Sequence, residues 1–153
     1  MDCAGAFYVY GGPALIVDFG TATTFDYVDE KGVFSYGVIA LGVESGANAL
    51  WSQTAQLPEV EIKSPGTILT KTTATNMQAG LFYGFLGQTE YIIRQFKKEL
   101  GRDDIKVIAT GGLGKIIYRH TSLIDVYDRD LTFKGLKVIY DRYKEAQREH
   151  SSR

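Results

Sequence analysis

One cysteine, Cys3, stands among 153 residues, which excludes an internal disulfide and a multi-cysteine metal site and fits a reducing compartment. Histidine is nearly as scarce. His120 and His150 show no ligand spacing to each other or to Cys3, so surface positions are expected for both. Charge of one sign is missing too: 17 Lys plus Arg face 18 Asp plus Glu, for a net charge of -1. Without a basic patch or a helix-turn-helix signature, no nucleic-acid partner is expected. No apolar run approaches the roughly 20 residues of a spanning helix, and no basic-then-apolar leader opens the chain. Cytoplasmic location, no membrane contact and a small soluble ligand are the expectations. The chain also lacks GxxxxGK[ST], GxGxxG and GxSxG, which removes P-loop, Rossmann and triad-hydrolase readings.

What is present suits one compact domain over residues 1–153, since 44% of the residues are hydrophobic. Apolar and β-branched runs predict strands at Ala14–Phe19, Thr23–Val28 and Val33–Ala40, the last two joined by a turn at Asp29-Glu30-Lys31-Gly32. A helix is predicted from about Ser45 to Ala55, and a long one from Thr72 or Thr73 to Leu100 with Gly101 as its stop. Gly80, Gly84 and Gly87 share one stripe of that helix, where each costs about 1 kcal/mol relative to alanine. Close approach of another backbone, within the chain or from a partner subunit, would offset that cost. A strand at Ile105–Ala109, a short helix, a strand at Leu123–Tyr127 and a helix from Leu131 to about Glu149 follow, the last with Leu136, Ile139, Tyr140 and Tyr143 inward. The order is mixed α/β: an antiparallel unit, then strands alternating with helices.

Two turns carry the chemistry. "DFGTATTFD", Asp18 to Asp26, follows the apolar run Ala14–Val17. A glycine there lets a ligand reach the backbone, and the hydroxyls of Thr21, Thr23 and Thr24 can meet phosphate oxygens. Asp18 and Asp26 are placed to hold a cation beside them. "IKVIATGGL" repeats the design, a strand followed by Thr110, Gly111, Gly112 and a helix start. Two such turns in one small chain fit a nucleotide held between two lobes.

The sequence resembles the type III pantothenate kinases of the actin-like, sugar-kinase and Hsp70 ATPase superfamily. The likeness rests on "GGPALIVDFGTATTFD", "LP.VEI" at Leu57–Ile62, "TTATNMQAGLFYGF", "VIATGGL" and "DLTFKGLKVIYDR", in the family's order. It implies a ribonuclease H-like, actin-type ATPase lobe with a mixed sheet flanked by helices. It also implies ATP-dependent phosphorylation of pantothenate to 4'-phosphopantothenate, with Mg2+, a monovalent cation (K+ or ammonium) and a homodimer. By the same resemblance Asp18, Gly20, Thr21, Ala22, Thr23 and Thr24 form a phosphate-binding motif, with Asp18 or Asp26 as cation contacts. Thr110, Gly111 and Gly112 form the adenosine-side motif. Thr73, Gly37 and Gly42 match positions near the acceptor, Thr73 reaching it from the neighbouring subunit.

Departures from the family pattern shape the expectation further. The DxGNT-type phosphate loop and the G-x-D-R segment with the general base do not occur, so the catalytic base is unassigned. The family's "GGxIxPG" reads "YGVIALG", Tyr36 to Gly42, with Leu41 in place of proline. The chain is therefore expected to be a C-terminal lobe, either active only with a partner polypeptide, such as a separate N-terminal lobe, or inactive as a truncated reading frame. Two alternatives are a transcriptional accessory protein of the same family and a sugar kinase of the same superfamily.

Overall fold

The structure, a computed structural model, describes residues 1–52 and 57–151. Its elements are α1 (Asp2–Tyr10), β1 (Ala14–Phe19), β2 (Ala22–Val28), β3 (Phe34–Leu41), α2 (Val43–Ser52), α3 (Thr73–Leu100), β4 (Lys106–Thr110), α4 (Gly114–Tyr118), β5 (Val126–Tyr127) and α5 (Leu131–Ser151). The five strands form one mixed sheet in the order β3-β2-β1-β4-β5. β1, β2 and β3 run antiparallel, while β4 lies parallel to β1 and β5 parallel to β4. The expected mixed α/β sheet flanked by helices is present.

Central β1 explains why the sheet needs helices on both sides. Every residue of this strand is buried except Asp18, which is half-buried. Leu15, Val17 and Phe19 pack with Phe25, Tyr27, Val43, Ile93 and Val107 on one face. Ala14 and Ile16 pack with Ala6, Val28, Ile108 and Leu131 on the other. Strand alternation sends Asp18 to that second face, the side of α1 and α5.

α1 lies in a segment that carries no sequence signal for a helix or strand. Its aromatic and β-branched residues show no helical stripe, and tertiary packing decides the conformation. It crosses α5 so closely that a Cβ on Gly5 would lie 2.6 Å from the Leu131 carbonyl oxygen and 2.8 Å from the Gly135 nitrogen. Tyr10 donates to Asp128 at 2.7 Å, and Thr132 donates to Asp2 at 2.6 Å, fastening both ends of the crossing.

Three other expectations change. Leu136, Ile139, Tyr140 and Tyr143 are not inward: all four are exposed. α1 packs on the face of α5 that carries Leu131 and Gly135, and the two core clusters include none of these four residues. The strand expected at Leu123–Tyr127 shrinks to two residues because Asp125 is held otherwise. Its carboxylate accepts from Val107 N–H at 2.7 Å, and its own N–H donates to the Val107 carbonyl. The glycine stripe of α3 meets no backbone within the chain: a Cβ on Gly80, Gly84 or Gly87 would find nothing within 4 Å. α3 itself runs as expected, with Thr72 as N-cap in a reciprocal box with Thr75 and Gly101 in the left-handed region as its stop. The first helix starts two residues earlier than expected, and Thr54 and Ala55 lie outside the described residues.

Candidate functional site

The two turns that the sequence shows ninety residues apart are in contact. β1 and β4 pair in parallel with Asp18 opposite Thr110, so both strands end at the same edge of the sheet. The chain after β4 then folds back onto the end of β1 at Gly111, which adopts φ +90°. A Cβ there would lie 2.6 Å from the carbonyl carbon of Phe19 and 2.7 Å from Oδ1 of Asp18. Only glycine fits that approach with that backbone angle.

Two further contacts hold the turns. Tyr127 at the end of β5 donates to the Gly111 carbonyl at 2.9 Å, and its ring packs against Gly114. From the other side, Ser45 in the first turn of α2 donates to the Thr21 carbonyl at 2.7 Å. Gly42 sits against the backbone of Gly20 and Thr21, where any side chain would collide with the Thr21 carbonyl. The β1–β2 turn is thus held by α2, and the β4–α4 turn by β5. Ser45 and Tyr127 were not singled out in the sequence, since each acts through one hydrogen bond to a distant carbonyl and leaves no local motif.

Asp18, Thr24 and Asp26 share one face. Asp18 pairs with Thr24 across the β1–β2 ladder, and Thr24 donates to the Asp26 carboxylate at 3.2 Å. Burial, then the charges of Asp2 and Asp26, raise the pKa of Asp18 above the usual carboxylate range. Burial raises that of Asp26 as well, against the hydrogen bond from Thr24, with Asp2 adding to the rise. A cation beside these carboxylates would offset the cost that burial places on their charged forms. Cys3 lies close by: burial and the Asp26 charge push its thiol up to about 11, which keeps it protonated and unreactive.

Not every residue singled out in the sequence joins this group. Thr23 is 1% exposed, faces the opposite side of the sheet from Thr24, and its hydroxyl has no hydrogen-bond partner. A strand cannot aim neighbouring hydroxyls at one ligand. Gly20 and Thr21 are exposed at the turn, with Ala22 half-buried beside them. Thr110 is buried behind Gly111, and Gly112 is open. Gly37 stands opposite Asp26 on β3, with the Asp26 carboxylate 3.1 Å from where its Cβ would be. Thr73 is the exposed first residue of α3, and no described hydrogen bond ties it to the Asp18 turn. Among the described residues, no group of three or more His, Cys, Asp or Glu side chains is placed to hold a metal ion. Nor is any helix among them long and apolar enough to cross a membrane.

The profile of the family "Type III pantothenate kinase" matches residues 1–95. A type III pantothenate kinase of Bifidobacterium longum (strain DJO10A) is 62% identical over 141 residues, which are 92% of this chain and 55% of that protein. One from Agathobacter rectalis is 56% identical over 140 residues, 92% of this chain and 54% of that protein. The chain thus spans about half the length of the curated relatives it matches. Among solved structures, a Campylobacter jejuni protein described as a Baf family transcriptional activator superposes with a TM-score of 0.61 at 22% identity, over 92% of this chain and 63% of that one. The activator of the 2-hydroxyisocaproyl-CoA dehydratase from Clostridium difficile, solved with bound ADPNP, gives 0.58 at 13% identity over 97% of this chain and 67% of that one. At such identities these two show a shared fold. With the profile matching well over half of its residues, the chain belongs to the type III pantothenate kinase family.

Proposed function

We propose that this chain forms the nucleotide-phosphate side of a centre that transfers the γ-phosphoryl group of ATP to the hydroxyl of pantothenate, giving 4'-phosphopantothenate on the way to coenzyme A. The observation that carries the proposal is the contact of Gly111 with Phe19 and Asp18, which makes one site of two turns. In this reading Gly20, Thr21, Ala22 and Thr24 line the phosphates, while Thr110, Gly111 and Gly112 face the adenosine. Thr23, buried on the other side, supports the strand from below.

Mg2+ suits the Asp18 and Asp26 pair, because that ion takes one or two carboxylates and fills its remaining positions with water and substrate phosphates. When bound it would offset charge on the transferring phosphoryl group. The chain's own part is to hold the phosphates against the β1–β2 turn and to keep the two carboxylates together. A monovalent cation, K+ or ammonium, belongs to the proposed reaction, with no side chain assigned to it. Gly37, Gly42 and Thr73 remain the proposed acceptor side, Gly42 by setting the position of its loop. Thr73 would serve a neighbouring subunit in a homodimer, which would also cover the open glycine stripe of α3. The general base and the first phosphate loop would come from another lobe, without which positioning on both sides of the nucleotide is lost.

Calorimetric titration with Mg-ADP tests the site. Binding by the wild type, weakened at least tenfold in Asp18→Asn, is expected; a wild type that takes up no Mg-ADP would refute the proposal. Mass spectrometry after incubation with Mg-ATP, K+ and pantothenate tests the division of labour. Product from this chain alone at an ordinary kinase rate, about 1–100 s⁻¹, would show that the base lies within these residues.

A further inference from the structure

Gly20 and Thr21 cross from β1 to β2 outside both strands, and both are exposed. Among the described backbone hydrogen bonds of turns and loops, none involves either residue. Ala22 already pairs with Leu41 of β3, so the Thr21 carbonyl is the group at this turn whose direction is set from outside. That direction matters to an anion. A carbonyl oxygen carries partial negative charge: turned toward bound phosphates it repels them, and turned away it leaves the turn open to them.

Two contacts from the start of α2 set it, and they act in opposite senses. Gly42 blocks approach, since a Cβ there would overlap the Thr21 oxygen and lie 2.8 Å from the Gly20 oxygen. Ser45 blocks retreat, its hydroxyl donating to the Thr21 oxygen at 2.7 Å, the usual optimum for such a bond. α2 is a firm base for this hold. Val43 and Ala47, four residues apart on one flank, are buried, and a Cβ on Gly46 would lie 2.7 Å from the ring of Phe85 in α3. Packing alone would stop the turn from closing on α2 and leave it free to lift. The hydroxyl supplies the missing pull.

We infer that Ser45 is a positioning residue for the phosphate end of a bound nucleotide: its hydroxyl keeps the Thr21 carbonyl turned to α2 and away from the ligand, which it does not itself touch. The inference rests on reading the turn after β1 as a phosphate site.

NMR shift titrations of the full chain with Mg-ADP and with adenosine test it, on the wild type, Ser45→Ala and Ser45→Thr. Ser45→Ala should bind Mg-ADP about fivefold more weakly, the size of one hydrogen bond. It should bind adenosine, which has no phosphate, as the wild type does. Ser45→Thr keeps the hydroxyl and should bind both ligands at wild-type strength. In the free chain the carbonyl-carbon resonance of Thr21 should move in Ser45→Ala and stay in place in Ser45→Thr. Equal Mg-ADP affinity in Ser45→Ala, a loss shared by adenosine, a loss of the same size in Ser45→Thr, or an unmoved Thr21 resonance in Ser45→Ala would each overturn the inference and leave the phosphate site standing. A wild type that takes up no Mg-ADP overturns the phosphate-site reading itself, and the role of Ser45 falls with it.

Discussion

Gly111 is the position where the two halves of the candidate site depend on one missing side chain, and Gly111→Ala measures that dependence. An alanine at φ +90° takes on the strain of a left-handed backbone, about 1–2 kcal/mol for an L-residue. Its Cβ would also meet Phe19 backbone atoms at 2.6 Å and Asp18 Oδ1 at 2.7 Å, all parts of a central strand that cannot easily move. Forcing extra volume into packed structure costs about 1–3 kcal/mol, so the combined loss is about 2–5 kcal/mol. With a urea slope of about 2 kcal/mol/M, the unfolding midpoint should fall by roughly 1–2.5 M. Gly112→Ala is the internal control: its Cβ would meet nothing within 4 Å, and its φ is not positive, so a change within about 0.5 kcal/mol is expected. Urea titrations followed by far-UV circular dichroism on both variants give the comparison. A Gly111→Ala midpoint within about 0.3 M of wild type would mean that the β4–α4 turn yields without cost. The contact between the turns would then be incidental, and the joined site with it.

Four more outcomes follow from the same geometry. The triple variant Gly80→Ala, Gly84→Ala, Gly87→Ala should stabilise the chain by about 1.5–3 kcal/mol in a thermal melt, since open helix positions gain about 0.5–1 kcal/mol each; destabilisation would show that something packs on the stripe. The raised pKa of Asp18 means that the folded chain without a cation favours the protonated form and loses stability as pH rises from the ordinary carboxylate range through the raised value. Asp18→Asn should therefore melt above wild type at pH 7 in chelator, with a smaller gap near pH 4, and a lower melting temperature at pH 7 contradicts this. Asp128 behaves oppositely: burial raises its pKa, but Lys134, Tyr10 and the Asp130 N–H outweigh burial, so its contribution is present above the ordinary carboxylate range and is lost as pH falls through the lowered value. Asp128→Ala should cost about 2–3 kcal/mol in urea at pH 7, where it leaves Tyr10 and Lys134 unpaired, and a loss below about 0.5 kcal/mol would count against that clamp. Tyr127→Phe keeps the ring against Gly114 and removes one hydrogen bond, about 1 kcal/mol, and should weaken Mg-ADP binding by titration; unchanged affinity would show that the Gly111 carbonyl needs no anchor.

Local sequence signals worked where one residue type answers one local need. Thr72 and Gly101 bracket α3 because a hydroxyl caps free N–H groups and a glycine accepts the left-handed stop. They failed where the need is supplied from afar. Nothing within residues 1–10 announces α1, whose conformation follows from burial against α5 and the sheet. The apolar stripe of α5 stands exposed, against the expectation, because periodicity tells which side of a helix is apolar and not whether anything covers it. In the candidate site, Asp18, Thr24 and Asp26 were legible as a polar group at a strand end, whereas Ser45 and Tyr127, reaching carbonyls 24 and 16 residues away, were not.

The sequence by itself determined the elements from β1 to β4 and the chemistry of each turn, because strand propensity, capping and the choice of glycine, threonine or aspartate act within a few residues. The tertiary structure decided which of those groups act together. Parallel pairing of β1 with β4 joins the two turns, and strand alternation sends Thr24 to the carboxylates while turning Thr23 into the core. Both depend on register and on which face a helix covers, quantities that exist only once distant segments are in contact.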